Sequence, residues 1–500
     1  MKPGARLILP GHLAPNVGEA RTDAPTAPQV AVYVIMAIVS ANAWTLECFD
    51  CEAAFLNGVT ALRNLFFTPP KEGPPGVPAG ALLECVKGVF GLQESPRLWY
   101  MKFRGNLLLV GWQEAPFAKA VFLLYDGDDE LCGVLCIHVD DGIMAGQGER
   151  YREAKDELKK NIKFGKWEKQ RFKYNGKLIE QSDDGTIKMT QQEFIKNVSE
   201  IYAPKVRRRK PDSELTSTEV SSLRSGCGSL GYAARETLPL LAYGVSYLQQ
   251  KVGDKPTVAD LLEFNKLVKI GDKLTKDGYG IVVPKVDLKK IAVAVISDAS
   301  FGKMPKGGSQ AGYLIPITET GAMHEQKPAC LVERGSHRIK RVVKSTLAAE
   351  SAGLAEALDH GEYVRALLGS ILVKTEPASS YDKQHWEKFV DRIPMIAQVD
   401  AKSLYDHVVK PGSMPGERRV ALDLWAAREM FEKENATLRW TPTHEMMADM
   451  LTKQVSDVSL VEVFLQQAAW CCDYDHERQA ARECRRASKK AERKNRTSKA

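Results

Sequence analysis

Residues Val121–Gly146 read VFLLYDGDDELCGVLCIHVDDGIMAG. Apolar runs broken by DGDD and VDDG predict three strands joined by two tight turns. Such a hairpin carries Asp140 and Asp141 at its tip, with apolar strands beside them as anchors. Alone, Asp-Asp-Gly is an ordinary turn signal. Upstream, CFDCEAAFLNG at residues 48–58 shows a strand pattern that turns helical, with Asp50 at the end of the strand. Magnesium-class cations take hard oxygen ligands, so carboxylates must reach one point from separate strands. Two such cations about 4 Å apart serve phosphoryl transfer.

Outward from this hairpin, the first 48 residues predict a short strand at Ala5–Leu9, a proline-rich loop and a buried apolar helix around Val30–Val39. That run falls short of the ~20 residues a bilayer span needs, and no signal-peptide pattern precedes it, so no membrane is expected as a partner. PPKEGPPGVPAG, Pro69–Gly80, fits neither a helix nor a central strand and reads as a surface loop. Beyond the hairpin come helical segments, a basic loop at Arg207–Lys210 and a linking helix at Thr257–Leu274.

A second domain opens near Asp287. Strands are expected at Ile291–Ile296, Gly312–Ile317 and Pro394–Val399. Helices are expected at Ser345–Leu368, with Leu347, Leu354 and Leu358 on one face, and at Ala421–Glu434. LRWTPTHEMMADMLTK closes the domain as a strand, a loop and a helix. Four acids stand where a second cation site would need them. Asp298 ends the opening strand, Glu350 faces out of the helix, Asp400 ends the next strand, and Asp449 starts the last helix. Any one of them is more simply a cap or an exposed acid.

Five hundred residues exceed one ordinary core, and 44% hydrophobic with 27% charged residues is a globular composition. Ten scattered cysteines fit a reducing compartment better than a disulfide framework. Cys48 and Cys51 form a C-x-x-C without a second pair at zinc spacing, and read as strand residues flanking Asp50. The net charge of +7 is concentrated in Tyr474–Ala500, where ten Lys or Arg face four Asp or Glu. The body is therefore nearly neutral, and affinity for nucleic acid must come from local basic clusters such as Arg207–Lys210 and Arg334–Arg341.

Taken together the motifs carry a resemblance. DCEAAFLNG, VFGLQESPRLWY and CIHVDDGIMAG resemble the DVKTAFLNG, YGLKQSPRAWY and YVDDILVAG motifs of copia-type LTR retrotransposon reverse transcriptases, in the same order. QEFIKNV and RSGCGSLGYAARETLPLLAYGVSYL resemble segments that follow in that family. SDAS, STLAAES, VDAKS and ADMLTK resemble the SDADWAG, SSAEAEY, DNQSA and VADILTK motifs of its C-terminal RNase H. The resemblance runs from about Ala5 to Gln454. His138 stands where the family has Tyr or Phe.

The resemblance implies a mixed α/β, α+β fold: palm, fingers and thumb of a reverse transcriptase, then an RNase H-like domain with a mixed five-stranded sheet. It divides the chain into N-terminally short fingers and palm at 1–205, thumb or connection helices at 206–285, the RNase H-like domain at 286–455 and a basic helical tail at 456–500. Asp50, Asp140 and Asp141 become metal ligands of a polymerase, and Asp298, Glu350, Asp400 and Asp449 those of a nuclease. His444 becomes a proton-transfer or product-release residue. Phe55 becomes the side chain that crowds a ribose 2′-OH. Gln93, Ser95, Pro96 and Arg97 lie near template and incoming base, and Arg6 is a phosphate contact. The implied cofactors are Mg2+ or Mn2+, two per site. The implied partners are an RNA template, a DNA primer, RNA·DNA hybrid and deoxynucleoside triphosphates. The implied location is intracellular, in cytoplasmic virus-like particles and the nucleus. A degenerate copy kept as a nucleic-acid-binding scaffold, or a nuclease with a dead polymerase, is the competing expectation.

Overall fold

The computed structural model describes residues 8–472 apart from 15–20, 62, 71–75, 79, 375–385, 411, 414, 434 and 456. Arg6, most of the Ala5–Leu9 strand, much of the Pro69–Gly80 loop and the basic tail lie outside the described residues.

The apolar run near the start forms α1 (Gln29–Ala41), in which ten consecutive residues from Ala31 to Ser40 are buried. A helix apolar on every side must be covered on every side. Strand β1 (Glu47–Cys51) follows, then α2 (Ser95–Leu109), β2 (Gln113–Glu114), β3 (Val121–Tyr125), β4 (Leu131–His138), β5 (Asp141–Gly146), α3 (Glu149–Asn161) and β6 (Phe164–Lys169). They build a six-stranded sheet in the order β2-β3-β4-β5-β1-β6, so β1 inserts between the hairpin and β6. Phe49, Trp99, Phe103, Trp112, Phe122 and Leu135 fill the core beneath it.

A second, antiparallel sheet joins β7 (Arg171–Tyr174), β8 (Lys177–Gln181), β9 (Ile187–Thr190) and, after a helical insertion, β10 (Ile281–Val283), in the order β10-β9-β8-β7. The insertion holds α4 (Ser217–Glu236), α5 (Ala242–Val252) and α6 (Val258–Lys276). Capping boxes at Thr216/Glu219 and Thr257/Asp260 start α4 and α6, satisfying amide groups a helix leaves open at its N-terminus. The Arg207–Lys210 cluster is not all loop: Lys205–Arg208 make a single helical turn.

The third sheet contains β11 (Ile291–Met304), β12 (Gly308–Glu319), β13 (Cys330–Arg338), β14 (Met395–Val399) and β15 (Ala436–Trp440). Its order is β13-β12-β11-β14-β15, with the first three antiparallel and β14 and β15 running parallel to β11. The five-stranded mixed sheet expected of this half is present. Parallel neighbours require crossovers, and α7 (Thr346–Leu372), α8 (Lys402–Val409) and α9 (Arg418–Lys433) supply them; α10 (Ser459–Gln467) follows. Among the described residues no helix is long and apolar enough to cross a membrane.

Candidate active sites

In the first sheet, antiparallel register sets Asp50 directly across from Asp141, and Phe49 across from Gly142. Gly142 has a steric reason: a Cβ there would sit 2.2 Å from the Phe49 ring, so only glycine lets β1 lie flat on the hairpin. The backbone N–H of Cys51 donates to the carbonyl of Asp140 at 2.9 Å, tying strand and turn together. The tip itself is strained. Val139 has φ +59°, a region β-branched residues avoid, and the indole N–H of Trp99 holds its carbonyl at 2.8 Å.

Burial raises the pKa of Asp50 above its ordinary value, and the charges of Asp140 and Glu52 add to it. Asp141 is raised in the same way by burial, then by Asp140 and Asp50, with His138 opposing. Asp50 and Asp141 are thus both held above the ordinary carboxylate value, each with Asp140 as a charged neighbour. A cavity of about 570 Å³ opens beside Asp50 and Asp141, with Lys166, Arg171 and Lys173 on its wall. These lysines and this arginine, each paired to a nearby glutamate, were not singled out in the sequence.

The other expected contacts do not line that cavity. Phe55 stands in a short 3-10 turn with its ring edge-on to Phe90 at 5.2 Å, and Gln93 is exposed. The Ser95 hydroxyl donates to the carbonyl of Val89 at 2.7 Å, and Pro96 occupies the first turn of α2. Arg97 is bound at 2.7 Å to Asp23. Cys48 and Cys51 are buried in β1, where burial pushes the Cys48 thiol up to about 12.

The second site is built by the parallel pair. Ile296 lies in register with Gln398, so two residues on Asp298 arrives beside Asp400, just past the carboxyl end of β14. Asp298 is not the end of its strand, since β11 continues to Met304. Asp449 lies within a 3-10 turn, Met447–Leu451, rather than at the start of an α-helix. The carboxylates of Asp298, Asp400 and Asp449 each offer an oxygen within 4.8 Å of the others. Among the described residues this is the one such acidic group; the Asp50 trio does not close to that degree.

Glu350 joins from α7 by accepting the Ala299 N–H at 3.2 Å. Small residues permit the approach, for a Cβ on Gly353 would already be 3.3 Å from Ala299. Burial raises Glu350 far above the carboxylate range, and the charges of Asp298 and Asp400 raise it further. Burial also raises Asp298, against the pull of Lys453. Four acids therefore meet where water screens them least.

Sequence reasoning missed two members. Lys453 Nζ lies 2.6 Å from Asp449, and the Thr452 hydroxyl donates to Asp298. Thr452 and Lys453 follow Asp449 by three and four residues, a spacing that fits one helical turn but equally a solvated face. His444 occupies a 3-10 turn with Nε2 3.9 Å from Glu445. The Arg334–Arg341 cluster is not one exposed groove: Arg334 is 8% exposed, and Arg341 pairs with Asp423.

Two carboxylate clusters thus stand on the chain, one at a hairpin tip and one at the carboxyl end of parallel strands, and the second brings three oxygens close enough to share one cation. Residues 2–203 match the family described as reverse transcriptase (RNA-dependent DNA polymerase). The chain is 22% identical over 472 residues to the retrovirus-related Pol polyprotein from transposon RE1 of Arabidopsis thaliana, covering 90% of this chain and 29% of that one. It is 24% identical over 478 residues to the corresponding polyprotein from transposon RE2 of the same plant, covering 91% and 30%. The chain thus spans under a third of the length of these curated relatives. A foamy viral protease-reverse transcriptase solved in complex with RNA/DNA hybrid gives a TM-score of 0.44 at 11% identity, over 84% of this chain and 47% of that one. LC11-RNase H1, isolated from compost, gives 0.21 at 15% identity, over 33% of this chain and 93% of that one. The family match falls on the half that carries the Asp50, Asp140 and Asp141 motifs, and the similarity to retrotransposon Pol polyproteins runs over most of the chain, in line with the resemblance those motifs carry.

Proposed function

We propose that the chain is an RNA-directed DNA polymerase of copia-type descent joined to a nuclease that cuts RNA in RNA·DNA hybrid. One observation carries the reading: Asp298, Asp400 and Asp449 close to within 4.8 Å in a largely buried setting, with Glu350 beside them. Like charges gathered out of water are costly unless a cation compensates them. Magnesium-class cations bound at each cluster lower the pKa of the attacking hydroxyl or water and neutralise the phosphate. The donors are hard oxygens throughout, which fits Mg2+ or Mn2+.

Asp50, Asp140 and Asp141 hold the primer end and the phosphates of an incoming deoxynucleoside triphosphate from one side. In the second domain Asp298, Glu350, Asp400 and Asp449 orient the scissile phosphate and its water. Lys453 steadies Asp449, and His444 stands in the loop before it as a proton carrier. The RNA template, the DNA primer and the hybrid they form are the polymeric partners.

A reading with an active nuclease and a silent polymerase draws on the looser Asp50 trio and on His138, which lies directly opposite Asp141. Paired assays separate the two. On the leading reading, Asp140→Asn abolishes magnesium-dependent primer extension and leaves hybrid cleavage intact, whereas Asp298→Asn does the reverse. Cleavage without extension by the unmodified protein selects the second reading, and neither activity overturns both.

A further inference from the structure

We propose that the cleft between α1, α4, α5 and the β13 edge binds a phosphate ester of about nucleotide size, gripped by Arg334 with Arg235 at its mouth. The cleft has a volume of about 700 Å³ and takes its walls from both halves of the chain. None of the acids of the two candidate active sites lines it, so the proposal does not depend on the functions assigned there.

Arg334 reaches out of β13 beneath the last turn of α4. Its Nη2 donates to the carbonyls of Arg235 and Glu236, and the guanidinium lies over the Tyr33 ring at 5.1 Å. Those contacts occupy one nitrogen. Nε and Nη1 are buried and have no protein partner, on a side chain only 8% exposed. A guanidinium keeps its charge at any accessible pH, and Nε and Nη1, on separate edges of it, each donate to an oxygen of their own.

Nearby charge does not cancel it. Glu236 is already bound to Lys177. Glu333, the carboxylate on the cleft wall, is held at 2.8 Å by His360 Nδ1, and His337 is paired at 2.8 Å with Glu356. The exposed guanidinium of Arg235 adds a second positive charge, which favours a phosphate over a singly charged carboxylate. A buried donor left without a partner costs stability, and an anion oxygen that accepts from it recovers that cost. The cleft also falls in the size range of small-molecule sites.

A phosphate ester could come from a free nucleotide or from the phosphorylated end of a strand, and calorimetry on the whole chain distinguishes them. Inorganic phosphate and dAMP, titrated against chloride at matched ionic strength, should each give saturable heats and raise Tm. Arg334→Lys keeps the charge and removes the Nε and Nη1 donors. Arg235→Glu alters an exposed side chain, so the fold survives it. Each should weaken dAMP binding by about tenfold, equivalent to 1.4 kcal/mol. Competition by a blunt hybrid bearing a 5′-phosphate, but not by its unphosphorylated twin, assigns the site to strand ends; no competition by either assigns it to free nucleotides. No saturable binding of either phosphate probe, or binding unchanged in Arg235→Glu, overturns the proposal.

Discussion

At the residue scale, the carboxylates gathered around Asp298 set a sign for pH dependence. Burial and mutual repulsion raise Asp298 and Glu350 in the folded protein, so between the ordinary carboxylate pKa and the raised one the folded state holds more protons than the unfolded. Stability of the cation-free protein therefore falls as pH climbs from about 4 towards and past neutrality. Asp298→Asn should flatten that fall and stabilise the cation-free protein at pH 8 by on the order of 1 kcal/mol, while abolishing hybrid cleavage. Chemical denaturation at pH 5 and pH 8 measures it, and a variant that loses stability at pH 8 contradicts the assignment. The acids were legible in the sequence because each belongs to a recognisable motif at a strand end or on a helix. The neutralising partner Lys453 was not, since a lysine after a helical turn reads as a solvated cation until the turn is seen to fold over the cluster.

At the element scale, the turn that carries Asp449 is pressed against the central sheet. A Cβ on Gly312 in β12 would sit 2.5 Å from Leu451 Cβ and 2.9 Å from Thr452 Cγ2. Gly312→Ala should push the Met447–Leu451 turn off the sheet, costing about 1–3 kcal/mol of stability. It should also lower hybrid cleavage severalfold and leave primer extension unchanged; paired assays on the one variant check this, and equal losses in both would place the damage in the fold. Alternating and continuous apolar runs announced β3, β4, β5, β11 and α7. The strand lengths did not follow, because β11 continues past Asp298 through SFGKM, whose polar residues belong to an extension beyond the core. The short edge strand β2 owes its existence to a neighbour's hydrogen bonds rather than to local pattern.

At the scale of the whole molecule, a buried polar knot joins the second and third sheets through α1 and α4. Lys177 on β8 binds Glu236 at the end of α4, and Tyr33 of α1 donates to the carbonyl of the same residue while Arg334 of β13 caps it. Lys177→Met strands the Glu236 carboxylate away from water and should cost about 3–5 kcal/mol. Replacing both members, Lys177→Met with Glu236→Leu, should recover most of it; denaturant midpoints of the three proteins decide, and a double variant as weak as the single one refutes an ion-pair origin. None of this was legible from the chain, because partners 59 residues apart leave no periodic trace.

The helix α1 has an implication for how such a chain comes to be. It spends its apolar surface on strands and a helix that emerge hundreds of residues after it, among them β13 and α7. Until then a greasy cylinder waits on the ribosome for its cover. A nuclease half produced alone, residues 286–472, would be missing that cover and should precipitate or show molten behaviour, whereas supplying residues 1–285 in trans should rescue it. The two halves thus mature together, and neither clock runs ahead of the other.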